Sequence, residues 1–302
     1  MDCILTTYLS ACEIAYSVYK NPQRESAPYI KREFIKLDSQ TCVLSHLVLR
    51  IPTRPRHFIF LTLKASNYQL SFIDDPKLKL GSMTITDSIV AVALSKETTE
   101  VEVGGRLGID LNERNVTWAD SSGMVGTEDM SALAELKERY KAIRAKIAQR
   151  TSKDRRKQRR LLSKYGERER KHACQAIHDV TRKVVKHAKS SNQAILMERL
   201  TGIRRRYRKG NGQSVSFRGG MNTWAFRMIQ QQIDYKARWD GIPVCYVNPR
   251  YTSRKCPNCD SSLITREGRK LLCRRCGISE DRDVIAAKNI MACVVPQARP
   301  DM

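Results

Sequence analysis

Residues 253–290 read SRKCPNCDSSLITREGRKLLCRRCGISEDRDVIAAKNI, and they set the terms for the rest of the chain. Cys256, Cys259, Cys273 and Cys276 form two Cys-x-x-Cys knuckles with thirteen residues between them. Each tight turn aims two thiolates at one point. Four sulfurs then close a tetrahedral shell with no position left open for chemistry, which predicts a structural Zn2+ site. Between the knuckles, Leu263-Ile264-Thr265, a Glu267-Gly268 turn and Lys270-Leu271-Leu272 read as a short hairpin. Chance clustering of cysteines is the competing reading, and the paired spacing speaks against it. A helix follows almost at once, carrying Asp283 in its first turns.

A chain of 302 residues has room for two or three compact units, and 41% hydrophobic content is enough for a real core. Fifty-five Lys and Arg against 31 Asp and Glu leave a formal charge of +24. Such an excess repels itself unless a polyanion relieves it, so nucleic acid is the expected partner. An anionic membrane surface fits less well, because the basic residues are spread along most of the chain. No signal peptide is expected, since Asp2 follows Met1 with no apolar stretch behind a basic start. The longest apolar runs, such as Ile89 to Leu94, are too short to span a bilayer. The other cysteines, at 3, 12, 42, 174, 245 and 293, are scattered as buried thiols in a reducing cytosol would be.

In chain order, residues 3–20 and 39–51 read as helices ended by Pro22 and Pro52. Four short β-rich runs follow, at 57–63, 69–72, 81–86 and 89–94, as in a small β-barrel or twisted sheet. Gly104-Gly105 is the expected domain boundary. Residues 106–112 and 115–119 then read as strands. Leu133, Leu136, Tyr140, Ile143 and Ile147 form one helical seam, and Ala173, Ile177, Val180 and Val184 a second. The run Lys153–Arg160 lies between the two seams, which predicts an antiparallel helical hairpin with a basic tip. Gln193–Met197 reads as a strand, 202–220 as a basic loop, 221–239 as an amphipathic helix and 242–247 as a further strand.

Three carboxylates stand out. Asp110 sits inside an apolar strand, Glu198 ends another, and Asp283 opens the last helix. Taken singly, each reads as a strand-end or capping acid. A buried acid is costly, however, unless it is paired or bound to metal. In the order strand Asp, strand Glu, helix Asp, the three fit a ribonuclease-H-like sheet whose acids hold two Mg2+ or Mn2+ ions at one edge. Integrase-type transposases end on Glu, so the final Asp favours a RuvC-type nuclease. His172, His178 and His187 do not share one helical face, which leaves them to solvent or phosphate contact. Arg204, Arg205, Arg206, Tyr207, Arg208 and Lys209 mix cations with a ring, as grooves that track single strands do. A solvated surface loop is the plainer reading of the same run. A Ser/His/Asp or Cys/His nucleophilic centre has no support in the sequence, and no Gly-Lys-Ser/Thr follows the Gly-bearing loop 202–220.

The segments GIDLNERNVTWAD (108–120), ILMERLTGIR (195–204), YKARWDGIPVCYVNPRYTSRKCPNC (235–259) and DRDVIAAKNI (281–290) resemble the TnpB (OrfB) proteins of insertion sequences. Those proteins are relatives of the type V CRISPR effector nucleases, and the resemblance runs in register over about 80–291. It implies an α/β chain with an RNase H-like (RuvC) nuclease domain that carries an inserted zinc ribbon and a helical hairpin. A helical region and a small β-barrel, wedge-like region would precede it. The implied parts are 1–54 (helical, recognition-like), 55–103 (wedge-like), 104–250 (nuclease, with the basic hairpin at 128–190), 251–278 (ribbon) and 279–302 (last helix and tail). Asp110, Glu198 and Asp283 would take the Mg2+ positions, and the four cysteines the structural Zn2+. Arg254, Arg274 and Arg275 of the ribbon would touch DNA. Guide RNA and target DNA are the implied partners, in a prokaryotic cytoplasm at the nucleoid.

Three departures from the family pattern are visible. On the resemblance the chain would start inside the recognition helices, through either a mis-called start or a reduced N-terminus; Ile285 stands where Asn is usual, and Asp260 replaces the Gly after the first knuckle, where a positive φ is expected. The implied activity is RNA-guided DNA cleavage by two-metal hydrolysis, encoded by an insertion sequence. The alternative is a guide-bound DNA-binding protein that represses transcription or regulates transposition without cutting. Such a protein could lose the three acids freely, and here all three remain. An unguided resolvase would call for neither the hairpin nor the ribbon.

Overall fold

A computed structural model describes residues 33–38, 41–54, 56–201, 212 and 214–293. The helix expected over 3–20 and the run Arg204–Lys209 lie outside them. The chain divides into two units, Met1–Glu97 and Thr98–Met302, a few residues before the expected Gly104-Gly105 boundary. Among the described residues, no helix is long and apolar enough to cross a membrane.

In the first unit, β1 (Ile35–Leu37) pairs with β5 (Lys79–Ile85), which pairs with β6 (Val90–Ser95); β2 (Val43–Ser45), β3 (Val48–Arg54) and β4 (His57–Thr62) form a second antiparallel sheet. Leu37, Leu44, Leu49 and Met83, from both sheets, share one core. The helix expected over 39–51 is therefore replaced by strands. His46 and Leu47, with φ of 44° and 67°, close the two-residue turn between β2 and β3. Such a turn usually carries Asn-Gly, so this hairpin had no compositional signal. Residues 69–72 are likewise not a strand but lie in helix α1 (Asn67–Ile73). Ser66 accepts from the Gln69 amide while the Gln69 side chain accepts from the Ser66 amide, a capping box legible as Ser-x-x-Gln.

The second unit is built on a five-stranded sheet. Its strands are β7 (Gly105–Leu111), β8 (Asn115–Asp120), β9 (Val125–Asp129), β10 (Gln193–Glu198) and β11 (Val244–Val247), in the order β11-β10-β7-β8-β9. β10 runs parallel to both neighbours, and β7, β8 and β9 form an antiparallel meander. Side chains alternate across a strand, so Leu107, Ile109, Ile195 and Met197 enter the large core, while Ala194 and Leu196 pack on the opposite face with Ile290. α2 (Ser131–Arg150) and α3 (Arg155–Ser190) form the helical hairpin, with Leu133, Tyr140, Ile147, Ala173, Ile177 and Val184 buried along the two seams. The basic run is mostly helical. Asp154 caps α3 by accepting from the Lys157 amide, so most of the run occupies the first turns of α3. His187 is not left to solvent either; its ring stacks on Trp118 at 4.0 Å and its Nε2 lies 3.2 Å from the buried Asp120.

The basic loop expected to reach residue 220 and the helix expected over 221–239 are redrawn as α4 (Val215–Thr223) and α5 (Phe226–Trp239). The break falls at Trp224, whose indole donates to the Asn112 carbonyl at 3.0 Å. The cysteine segment forms a small sheet of β12 (Ile264–Glu267), β13 (Lys270–Leu272) and β14 (Ser279–Asp281), the last strand not anticipated. β14 runs directly into α6 (Arg282–Ala292).

α6 lies on β7 at Gly108. A Cβ there would stand 2.2 Å from the Ala287 carbonyl oxygen and 2.4 Å from the Met291 amide nitrogen, both backbone atoms. Gly108→Ala should therefore destabilise the second unit by about 3 kcal/mol, at the upper end of overpacking costs. A chemical-denaturation midpoint unchanged by this substitution would contradict the packing described.

Candidate metal centres

Alternation along the strands decides where the acids point. Asp110 follows Gly108 on the face of β7 that meets α6, and Glu198 follows Ala194 and Leu196 on the same face of β10. Met197 stands opposite Ile109, so Asp110 and Glu198 come one step later, at the carboxyl ends of adjacent parallel strands. Asp283 lies in the first turn of α6 above them, and Asp281 caps that helix by accepting from the Asp283 amide at 2.8 Å. The three acids predicted from the sequence thus converge on one sheet edge.

Their surroundings are polar and specific. Asn112 Nδ2 donates to Asp110 Oδ2 at 2.8 Å, and Thr252 Oγ1 donates to Glu198 Oε1 at 2.6 Å. Asn115 Nδ2 lies 3.5 Å from Asp283 Oδ2, and Arg269 forms an ion pair with Asp283 Oδ1. Asp110 is pushed up to about 7, first by burial and then by the charge of Glu198; Asn112 partly offsets this, and Asp283 adds to it. Burial also raises Glu198, against the hydrogen bond from Thr252. Buried carboxylates that repel one another are a receptor for cations, and hard oxygen donors suit Mg2+ or Mn2+. The carboxylate oxygens do not gather as tightly as the cysteines, with Asp283 engaged by Arg269.

Asp110 carries a pH signature. Its folded value near 7 lies above the unfolded value near 3.8, so its stabilising contribution is complete below about pH 4 and is lost as pH rises through 7. In Mg2+-free buffer at pH 8, Asp110→Asn should be more stable than the parent by on the order of 4 kcal/mol, with the two converging at low pH. Thermal melts at both pH values check it; a gap independent of pH would contradict the burial.

The cysteine cluster is built from two matching turns. Asp260 N donates to Cys256 O at 2.9 Å and Gly277 N to Cys273 O at 3.0 Å, while Cys256 N and Cys273 N donate to the carbonyls of Ser261 and Ile278. The residue after each knuckle takes a positive φ, 58° at Asp260 and 75° at Gly277. Asp260 therefore adopts the conformation expected of the glycine it replaces, and its carboxylate pairs with Lys255 at 2.8 Å. The four Sγ atoms lie within 4.8 Å of one another, with two pairs at 3.4 Å. A tetrahedron with Zn–S of about 2.3 Å has edges of about 3.8 Å, so the set fits zinc. The Ser261 hydroxyl and amide lower the Cys259 thiol to about 6, while Cys276, against the Ile278 amide, is pushed up to about 12 by contact with Cys256, so the cluster gives up its first proton readily and its last only when a metal takes its place.

Arg254, Arg274 and Arg275 are exposed on this element. Ile285, by contrast, is fully buried; an Asn there would face the core rather than solvent. Asn112, Asn115, Thr252 and Arg269 were not anticipated as site residues. The pair Asn112-x-x-Asn115 just beyond Asp110 was a usable signal, whereas Arg269 reaches Asp283 only because β13 and β14 fold the segment back.

The Cas12f1-like TNB domain family matches residues 226–290, from α5 through the cysteine cluster to α6. A TnpB-like protein of Methanocaldococcus jannaschii is 34% identical over 250 residues, covering 80% of this chain and 89% of the relative. The chain belongs to the TnpB-like family. The CRISPR-associated endodeoxyribonuclease Cas12f1 of Sulfoacidibacillus thermotolerans is 39% identical over 74 residues, 23% of this chain and 17% of that one. The solved structure of the mini-RNA-guided endonuclease CRISPR-Cas phi3 superposes with a TM-score of 0.53 at 12% identity, covering 82% of this chain and 58% of that one. That likeness is one of fold alone.

Proposed function

We propose that this chain is an RNA-guided DNA endonuclease with an RNase H-like, RuvC-type catalytic sheet and a structural zinc ribbon. The observation that carries the reading is the convergence of Asp110, Glu198 and Asp283 on one sheet edge, where Asp110 is held near 7 by burial and by its acidic neighbours. A protein that only bound DNA would gain nothing from a buried Asp110 set beside two further acids that both raise it. The named activity of the Cas12f1 relative agrees with the reading.

In this reading Asp110, Glu198 and Asp283 hold Mg2+, which supplies an activated water and neutralises charge on the phosphate. Asn112 and Thr252 orient two of the carboxylates. Arg269 comes from a turn of the ribbon, and with its side chain 59% exposed it is placed to bridge Asp283 and a phosphate oxygen. The excess of 55 Lys and Arg over 31 acids would hold guide and heteroduplex backbones, with pairing rather than side chains reading the sequence. Arg254, Arg274 and Arg275 are proposed to track DNA, as is the run Arg204–Lys209.

Purifying the protein from its host and sequencing the RNA that comes with it tests the proposal. One discrete RNA with a constant part and a variable end is expected. Only random cellular fragments, or none, would contradict it.

A further inference from the structure

Residues 248–255 connect β11 to the first knuckle. Tyr251 takes a positive φ of 67°, and the amides of Arg254 and Lys255 both turn back onto its carbonyl. At the centre is Thr252, only 6% exposed. Its hydroxyl lies 2.6 Å from Glu198 Oε1 and 3.2 Å from the Pro249 carbonyl. A hydroxyl has one proton to give, and the shorter, charge-assisted bond to the carboxylate takes it. Glu198 Oε1 is then fixed, and Oε2 has no protein donor among the described residues.

The same segment is held from the other side. Asn289, on α6 with Asp283, donates from Nδ2 to the Thr252 carbonyl at 2.6 Å and to the Lys255 carbonyl at 2.8 Å. One chain of bonds therefore runs from Glu198 through the Thr252 hydroxyl and carbonyl to Asn289, and from there along α6 to Asp283. We propose that Thr252 is a positioning residue for Glu198, and that the strap 252–255, pinned by Asn289, sets Glu198 in register with the helix bearing Asp283. The inference rests on the nuclease reading above. It gives the stretch before the zinc ribbon a task separate from zinc binding.

The test compares Thr252→Val, which keeps the shape and loses the proton, with Thr252→Ser, which keeps the proton. In the guided complex, Thr252→Val should lower the cleavage rate by about ten- to a hundredfold, the scale set by small misplacements of catalytic groups. It should also raise the Mg2+ concentration for half-maximal rate, with zinc content and nucleic-acid binding unchanged. Thr252→Ser should recover to within about threefold of the parent, as a group acting through its hydroxyl would.

A second measurement needs no activity. Thr252→Val should lower the unfolding midpoint of the parent more than that of Glu198→Ala, where the hydroxyl keeps only the Pro249 carbonyl. Equal shifts in both backgrounds would overturn the proposal, as would a serine variant as impaired as the valine. If the parent cuts nothing under any guided condition, the nuclease reading falls, and the unfolding cycle alone decides whether Thr252 holds Glu198.

Discussion

Asp110→Ala is expected to slow guided, Mg2+-dependent DNA cleavage by at least about a thousandfold, the scale of losing a principal charge-stabilising group. Asp110 is the acid most coupled to the others, since both Glu198 and Asp283 act on it. The loss should be confined to chemistry. Removing a buried acid relieves repulsion in the metal-free fold, so the variant should remain folded and keep its zinc. Guide RNA should bind as before, because its contacts would be drawn from the many basic side chains rather than from the sheet edge. Single-turnover cleavage and RNA binding on the same preparation make the comparison; cutting within tenfold of the parent would contradict the assignment.

Loss of zinc is expected to have the second large effect, by a different route. The ribbon has almost no core of its own beyond Leu271 and the buried thiols Cys256 and Cys273. Elements this small take their stability from the metal. β14 leads straight into the Asp281 cap of α6, and Arg269 of the ribbon turn grips Asp283. Cys273→Ser should therefore bind less than one zinc per chain and expose 253–281 to trypsin. Cleavage should fall by about a hundredfold or more as Asp283 loses its setting. The five-stranded sheet should stay protected in hydrogen exchange. A zinc-free variant with an intact ribbon and full activity would show that the metal is dispensable.

The parts of the fold that could be read in advance were those whose chemistry is local. Two knuckles announce a metal site by spacing alone, and the apolar strands around Asp110 and Glu198 announce themselves as buried. Leu133 to Ile147 and Ala173 to Val184 declare the helical hairpin by period. What escaped depended on backbone conformation or on tertiary approach. The His46-Leu47 turn carries no Asn-Gly or Asp-Gly pair, so the sequence of these strands reads as a helix. Trp224 ends a helix because its indole finds the Asn112 carbonyl across the fold, which no periodicity records.

The same division holds at the site. The acids were legible because buried charge in an apolar strand is conspicuous. Their partners Asn115, Thr252, Arg269 and Asn289 are ordinary polar residues until the chain folds. Ile285, a departure from the family pattern, is a core position. Asp260, another, adopts the backbone of the glycine it replaces.

The most direct test of the account is cleavage of a supercoiled plasmid carrying a sequence matched to the RNA that purifies with the protein. The account predicts linear product with Mg2+, intact plasmid without a divalent ion, and intact plasmid when the matching sequence is scrambled. An intact matched plasmid with Mg2+ present, or equal cutting of matched and scrambled plasmids, would contradict it.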